Sequence, residues 1–152
     1  MQRIIISDTS CLILLEKLDE IQLLQKLFGE VTITSEIADE FGNPLPGWIK
    51  INNATDNNYQ SMLESFVDKG EASAIALAVE QPDCLLILDD LKARKLAKEL
   101  KINYSGTLGI LVEGKLSGHI NSMKIVLEKI KKTNYRITSS LEKKILSRSG
   151  EI

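Results

Sequence analysis

The sequence predicts an α/β sandwich with a mainly parallel central sheet. Short apolar runs of strand length alternate with segments in which apolar residues recur at helical spacing, the order typical of parallel sheets covered by helices. Hydrophobic residues make up 43% of the chain and charged residues 26%, which suits a protein with a packed core. A length of 152 residues predicts one domain spanning residues 1–152, with a basic helical segment from about residue 119.

Apolar runs bounded by polar or turn residues predict the strands. The third predicted strand, residues 48–51, follows a loop that contains two of the three prolines. We therefore expect this strand at an edge of the sheet. In chain order the predicted strands cover residues 3–7, 31–34, 48–51, 84–88 and 102–104.

Helical spacing and capping residues predict the intervening helices. Thr9 or Ser10 can cap the first helix, and Gly29 and Gly42 can end the second and third. The predicted helices cover residues 11–18, 19–28, 35–41, 55–67, 70–80, 90–101 and 107–116, with one or two more after residue 121.

Charge is distributed unevenly along the chain. The net charge of −2 at pH 7 excludes a uniformly basic coat for nucleic acid. Residues 119–152 nevertheless contain eight basic and three acidic side chains, whereas residues 1–118 are net negative. This basic segment is either a solvated helical face or an arm that contacts phosphates or a partner protein.

Cysteine usage and hydropathy predict a cytoplasmic protein without membrane contact. Cys11 and Cys84 lie singly in apolar surroundings, which is typical of buried free thiols in a reducing compartment. Asp8 interrupts the apolar start of the chain before a signal-peptide core could form. There is also no run of about eighteen apolar residues that could span a bilayer.

Acidic side chains follow the two strongest predicted strands. Asp8 comes directly after the first strand and Asp89-Asp90 after the fourth, while Glu40 and Glu71 lie on helices. Right-handed crossovers bring the carboxyl ends of the strands to one edge of the sheet, where open α/β folds bind ligands. Clustered carboxylates without histidine or cysteine at ligand spacing suit Mg²⁺ or Mn²⁺ better than Zn²⁺. The pattern therefore predicts metal-dependent hydrolysis of phosphodiester bonds.

Each acid also has a structural interpretation. Asp8 and Asp90 stand where helix N-caps stand, and Glu71 stands where it would complement a helix dipole. Glu36 lies one turn from Glu40 on the same helical face, so the sequence leaves open which of the two faces the site. Only the joint occurrence of the acids supports the functional interpretation.

Five segments resemble, in order and spacing, the motifs of the PIN domain family. They are ISDTS, TITSEIADEF, GEASAIALA, LLILDDLKARKLA and SGTLGIL, and the resemblance to a little-characterised, toxin-like subgroup continues into the C-terminal SLEKKIL helix. The resemblance implies a three-layer α/β/α sandwich and a metal-dependent endoribonuclease that holds one or two Mg²⁺ or Mn²⁺ ions. It also implies an RNA substrate, a toxin-antitoxin pair with an antitoxin protein as partner, and a homodimer.

The resemblance assigns roles to individual acids. Asp8, Glu40, Glu71 and Asp90 match the catalytic positions, and Asp8, Glu71, Asp89 and Asp90 would be the metal ligands. Glu71 stands where many members have aspartate, and Asp89 stands where asparagine is frequent.

Four residues are candidates for binding the substrate. By resemblance, Ser10 would hydrogen-bond the scissile phosphate or a water on the metal, and Thr107 would lie at the edge of the site. Arg94 and Lys98 share a charged helical face, which would contact RNA phosphates unless it is merely solvated. Aromatic residues are only 5% of the chain, so we expect no broad platform for base stacking.

Two other functions stay open. A PIN-like binding module without efficient cleavage would be consistent with Glu71 in place of aspartate and with the negative body of the chain. A phosphatase that forms an aspartyl-phosphate would use Asp8 as nucleophile, although the second acid expected two residues later is Ser10 here. Serine-hydrolase and P-loop motifs are absent, and His119 is the only histidine.

Overall fold

The computed structural model describes residues 3–152 and contains an all-parallel, five-stranded sheet. The strands are β1 (Ile4–Ser7), β2 (Val31–Ile33), β3 (Ile49–Ile51), β4 (Cys84–Ile87) and β5 (Asn103–Ser105). Their spatial order is β3-β2-β1-β4-β5, and every neighbouring pair is parallel. The predicted α/β/α sandwich is confirmed, and β3 lies at an edge as expected.

Helices fill the intervals between the strands and follow the last one. Within residues 3–152 they are α1 (Thr9–Lys17), α2 (Gln22–Phe28), α3 (Ser35–Phe41), α4 (Asn57–Leu63), α5 (Lys69–Val79), α6 (Leu91–Glu99), α7 (Thr107–Leu116), α8 (Met123–Lys131) and α9 (Ser139–Arg148). α3 contacts both α1 and α5, and α5 also packs against α4. Among the helices of this described part, none is long and apolar enough to cross a membrane.

Three helix boundaries differ from the predicted ones for local reasons. The second helix begins at Gln22 instead of residue 19 because Asp19 adopts a left-handed backbone with φ of 56°. The first helix is capped by the Asp8 side chain and not by Thr9 or Ser10. The fourth ends at Leu63, where tighter backbone hydrogen bonds from residues 64–66 replace the α-helical pattern.

The neighbouring strands β1 and β4 contribute fully buried residues to the core of the sandwich. Ile6, Leu86 and Ile87 are fully buried because helices cover both faces of the sheet, which is why these strands read as continuous apolar runs. Both cysteines are buried and free, as the sequence predicted.

The strand order creates a switch point between β1 and β4. From β1 the chain moves to β2 and β3 on one side, and it returns to add β4 and β5 on the other side. At such a point the loops after two adjacent strands lead to opposite faces of the sheet and leave a crevice between them. Asp8 follows β1, and Leu88 and Asp89 follow β4, so the acids predicted from the sequence border this crevice.

The basic C-terminal segment is firmly attached to the sandwich. α8 and α9 contact each other and α7. The Glu151 carboxylate accepts hydrogen bonds from the backbone N–H groups of Met123 and Lys124, at the start of α8, and pairs with Lys115 at 2.8 Å. This carboxylate therefore fixes the end of α9 against α7 and α8.

We expect Glu151→Ala to lower the free energy of unfolding by about 1–2 kcal/mol, because two helix N-terminal N–H groups lose their acceptor. Chemical denaturation measures the change. The control is Glu128→Ala, which removes an exposed carboxylate 3.5 Å from Lys131 and should cost less than about 0.5 kcal/mol. Equal losses in the two variants would show that Glu151 does not fix the segment.

Candidate active site

The Asp8 carboxylate joins the carboxyl ends of β1 and β4. Its Oδ1 accepts the backbone N–H of Cys11 at 2.8 Å, which caps α1, and its Oδ2 accepts the N–H of Asp89 at 2.9 Å. Asp8 is only 3% exposed. Burial raises the pKa of Asp8 to about 7, and the Asp89 carboxylate adds to the rise, whereas the two N–H groups and Arg94 oppose it. Removing this side chain would leave two N–H groups without an acceptor.

Thr107 holds the Asp89 carboxylate in place. The backbone N–H of Thr107 donates to Asp89 Oδ1 at 2.8 Å, and its hydroxyl donates to Oδ2 at 2.6 Å. Thr107 is fully buried at the first turn of α7. The sequence placed Thr107 at the edge of the site as a substrate contact, and the structure gives its hydroxyl to Asp89.

Glu71 and Asp90 form a second acidic pair, on α5 and at the start of α6. Asp90 Oδ2 accepts the N–H of Ala93 at 2.9 Å and caps α6. Glu71 shares a capping box with Asp68, in which each carboxylate accepts the other residue's N–H, at 3.3 and 3.0 Å. Burial, followed by the Asp68 and Asp90 carboxylates, raises the pKa of Glu71 to about 7. Glu71 and Asp90 therefore repel each other across the crevice.

Glu40 and Glu36 have different hydrogen-bond partners. The Thr9 hydroxyl donates to Glu40 Oε1 at 2.7 Å, which places this carboxylate beside the residue that follows Asp8. Glu40 also lies against Gly70, where a side chain would collide with its carboxylate. Glu36 instead accepts a hydrogen bond from Gln60 on α4. Glu40 thus links the N-terminal turn of α1 to that of α5.

The other three predicted substrate contacts, Arg94, Lys98 and Ser10, lie in different surroundings. Arg94 Nε donates to the carbonyl oxygen of Leu88 at 2.6 Å, and its guanidinium lies 5.8 Å from the ring centroid of Tyr104. Lys98 is exposed and lies about one turn further along α6, away from the carboxyl edge. Ser10 is exposed, and its side chain makes no hydrogen bond within residues 3–152.

Sequence reasoning missed three hydroxyl groups that tie the site together. It considered Thr9 only as a helix cap, whereas the Thr9 hydroxyl contacts Glu40. It also missed Thr34 and Ser73, two buried residues whose hydroxyls lie 2.6 Å apart and connect the start of α3 to α5. The available signal was their position: Thr34 stands at a strand-to-helix boundary, and Ser73 is a polar residue in an alanine-rich helix.

The donor chemistry of these acids fits a hard divalent ion. Within residues 3–152 no group of three or more histidine, cysteine, aspartate or glutamate side chains is arranged to hold a metal. The acids occur as two interacting pairs, Asp8 with Asp89 and Glu71 with Asp90. Mg²⁺ commonly binds through only one or two carboxylates and keeps several waters. Burial is the larger cause of the raised pKa values of Asp8 and Glu71, and a cation beside either pair would offset the carboxylate repulsion that adds to it.

We expect the metal-free protein to lose stability as the pH rises from about 4 to about 7. Between the ordinary pKa of 3.8 and the folded value of about 7, folded Asp8 holds a proton that the unfolded chain releases. Stability therefore falls through this window and levels off above it. Urea unfolding in EDTA should show a smaller decline for Asp8→Asn, which does not titrate. The same decline in both proteins would mean that Asp8 ionises normally.

Comparison with known families agrees with this geometry. A family model described as a PIN domain matches residues 4–151, which is almost the whole chain. No curated protein and no solved structure gives a significant match. PIN domains are generally nucleases and usually use divalent metal ions. From its motifs, its sheet and this match, the chain belongs to the PIN domain family.

Proposed function

We propose that this protein is a Mg²⁺- or Mn²⁺-dependent endoribonuclease that hydrolyses RNA phosphodiester bonds. The observation that carries the proposal is the buried Asp8 carboxylate, which shares the switch point of the sheet with Asp89. A carboxylate with a pKa near 7 at the ligand-binding edge of an α/β sheet is a candidate functional group on physical grounds. The nuclease character of PIN domains supports the same conclusion.

Four of the acids would bind a metal, and Glu40 would accept a proton. Asp8 with Asp89, and Glu71 with Asp90, would hold one or two ions, which when bound polarise the phosphoryl group and lower the pKa of the attacking water. Thr107 keeps Asp89 oriented through both of its carboxylate oxygens. Glu40 would accept the proton at Oε2, because Thr9 already occupies Oε1.

The basic and hydroxyl residues would hold the substrate. Arg94 is placed beside Leu88, and we assign it to a phosphate next to the scissile bond. Ser10 and Lys98 are exposed and would contact the strand further from the acids. From the family resemblance we also propose an antitoxin protein as partner and a homodimer. The buried free cysteines support a cytoplasmic location.

The two alternative functions, a phosphatase and a non-catalytic binding module, are not supported equally. An aspartyl-phosphate phosphatase is disfavoured, because the second acid that this chemistry needs two residues after the Asp8 nucleophile is replaced by Ser10. One observation supports a non-catalytic binding module. Glu71 belongs to a capping box, which gives this residue a structural role. Metal binding and cleavage separate this module from the nuclease.

We expect Glu40→Gln to reduce RNA cleavage in Mn²⁺ by about 100-fold or more, because the amide cannot accept a proton. The matched control is Glu36→Gln, one turn away on α3, whose carboxylate binds Gln60 and should be dispensable for cleavage. Initial rates on a labelled RNA measure both variants. If Glu40→Gln cleaves as fast as Glu36→Gln, Glu40 is not the base.

We expect Mn²⁺ to raise the melting temperature of the wild-type protein, since a ligand at about 100 times its Kd stabilises the folded state by about 2.7 kcal/mol. Glu71→Gln should reduce this shift, because the amide keeps the capping hydrogen bond but loses the charge that attracts the ion. Differential scanning fluorimetry with and without EDTA measures the effect. A wild-type protein that Mn²⁺ does not stabilise would favour the binding module.

A further inference from the structure

A groove beside the acidic site is formed largely by the C-terminal segment. It has a volume of about 550 Å³ and begins at Asp89. One wall carries Arg94 and Tyr104, and the other carries residues 135–148 of the loop before α9 and of α9 itself. We call this cavity the C-terminal groove. Because Asp89 lies at one end, a molecule bound along the groove would reach the acids.

Three exposed cations of the C-terminal segment line this groove. Arg136 lies in the loop before α9, and Lys144 and Arg148 are four residues apart, on one face of that helix. Between residues 3 and 152 none of the three takes part in an ion pair, whereas nearby Lys131 pairs with Glu142 at 2.8 Å. With Arg94 they outnumber Asp89, the one carboxylate in the lining, so the groove carries a net positive charge that suits an anionic ligand.

Two aromatic rings also line the groove. Tyr104 is 37% exposed, and Tyr135 is half-buried in the opposite wall. Burial, with the Asp89 and Asp8 carboxylates, raises the pKa of Tyr135 to about 12, so its phenol lies near the acidic pair and stays protonated. Rings beside cations match a chain in which bases alternate with phosphates.

The walls of the groove are fixed before any ligand binds. Glu151 ties the end of α9 to the start of α8, and the pair between Lys131 and Glu142 joins the two helices again near the start of α9. Ile145, which follows Lys144 on α9, is buried in the core and holds this helix against the rest of the protein. A groove held in this way loses little conformational entropy when it binds a ligand.

We propose that the C-terminal groove binds single-stranded RNA and leads it to the acids, with Arg136, Lys144 and Arg148 on phosphates and Tyr104 and Tyr135 against bases. This inference rests on the proposed ribonuclease function and adds to it a binding surface outside the acidic site. Single strands are favoured over duplexes because only unpaired bases are free to stack on side chains. An acidic peptide would match the cations but would leave the rings without matching partners.

The test is the binding of a short labelled oligouridylate in EDTA, so that affinity is measured without cleavage. The groove variant is Arg136→Gln, Lys144→Gln and Arg148→Gln combined. The matched control is Lys124→Gln, Lys129→Gln and Lys143→Gln combined, which removes as much charge from exposed positions of the same segment outside the groove. Fluorescence anisotropy gives Kd at several salt concentrations.

We expect the groove variant to bind at least about tenfold more weakly than the wild type, with a slope of log K against log salt smaller by about 2. The control should change Kd by less than about threefold, since general charge acts only weakly at a distance in salt. The single pair Lys144→Gln and Lys143→Gln repeats the comparison on adjacent residues of one helix. Melting temperatures check that all variants are folded.

Four results would overturn the inference. They are unchanged binding in the groove variant, equal losses in the groove and control variants, tighter binding of duplex than of single-stranded RNA, and displacement of the oligouridylate by polyglutamate at equal charge. The inference would also be overturned if the wild-type protein did not bind the oligouridylate in EDTA. Cleavage in Mn²⁺ tests the nuclease separately, so the two proposals can fail independently.

Discussion

The hydrogen bonds of the Asp8 carboxylate are the interaction on which the site depends. They connect the end of β1 to the start of α1 and to the residues that follow β4. These three segments meet at the switch point, where the strand order reverses. A buried carboxylate is costly unless its oxygens are satisfied, and here backbone N–H groups satisfy both. The position of Asp8 thereby sets that of Asp89, which Thr107 secures from the next loop.

The structural and functional interpretations of the acids are not exclusive. Asp8 and Asp90 each cap the helix that follows a central strand, and Glu71 belongs to a capping box at a helix start. A helix that follows a parallel strand begins at the carboxyl edge of the sheet, so a capping carboxylate necessarily lies where ligands bind. The helix termini thus bring these acids close enough to raise the pKa of Asp8 and of Glu71.

The sequence predicted the fold, and it predicted that Asp8 and Asp89 follow strands at the sheet edge, because both features depend on local patterns. Apolar runs followed by aspartate identify strand ends at the sheet edge, whichever strands turn out to be neighbours. It did not predict the contact between Thr9 and Glu40, which are 31 residues apart, or the different hydrogen-bond partners of Glu36 and Glu40. It also missed Arg136 and Arg148, because their part in a groove depends on how α9 packs against α7 and α8. Contacts of this kind follow from tertiary packing, which helical periodicity does not specify.

The pairing of β1 with β4 has a consequence for how the protein is made. Asp8 and the N–H group that it binds at Asp89 are 81 residues apart, so the ribosome must synthesise most of the sheet before this bond can form. Until then the apolar residues of β1 have no partner on that side, and the nascent chain carries an open strand edge. We therefore expect slow, late closure of the sheet during biosynthesis, and a chain that benefits from chaperones until β4 emerges.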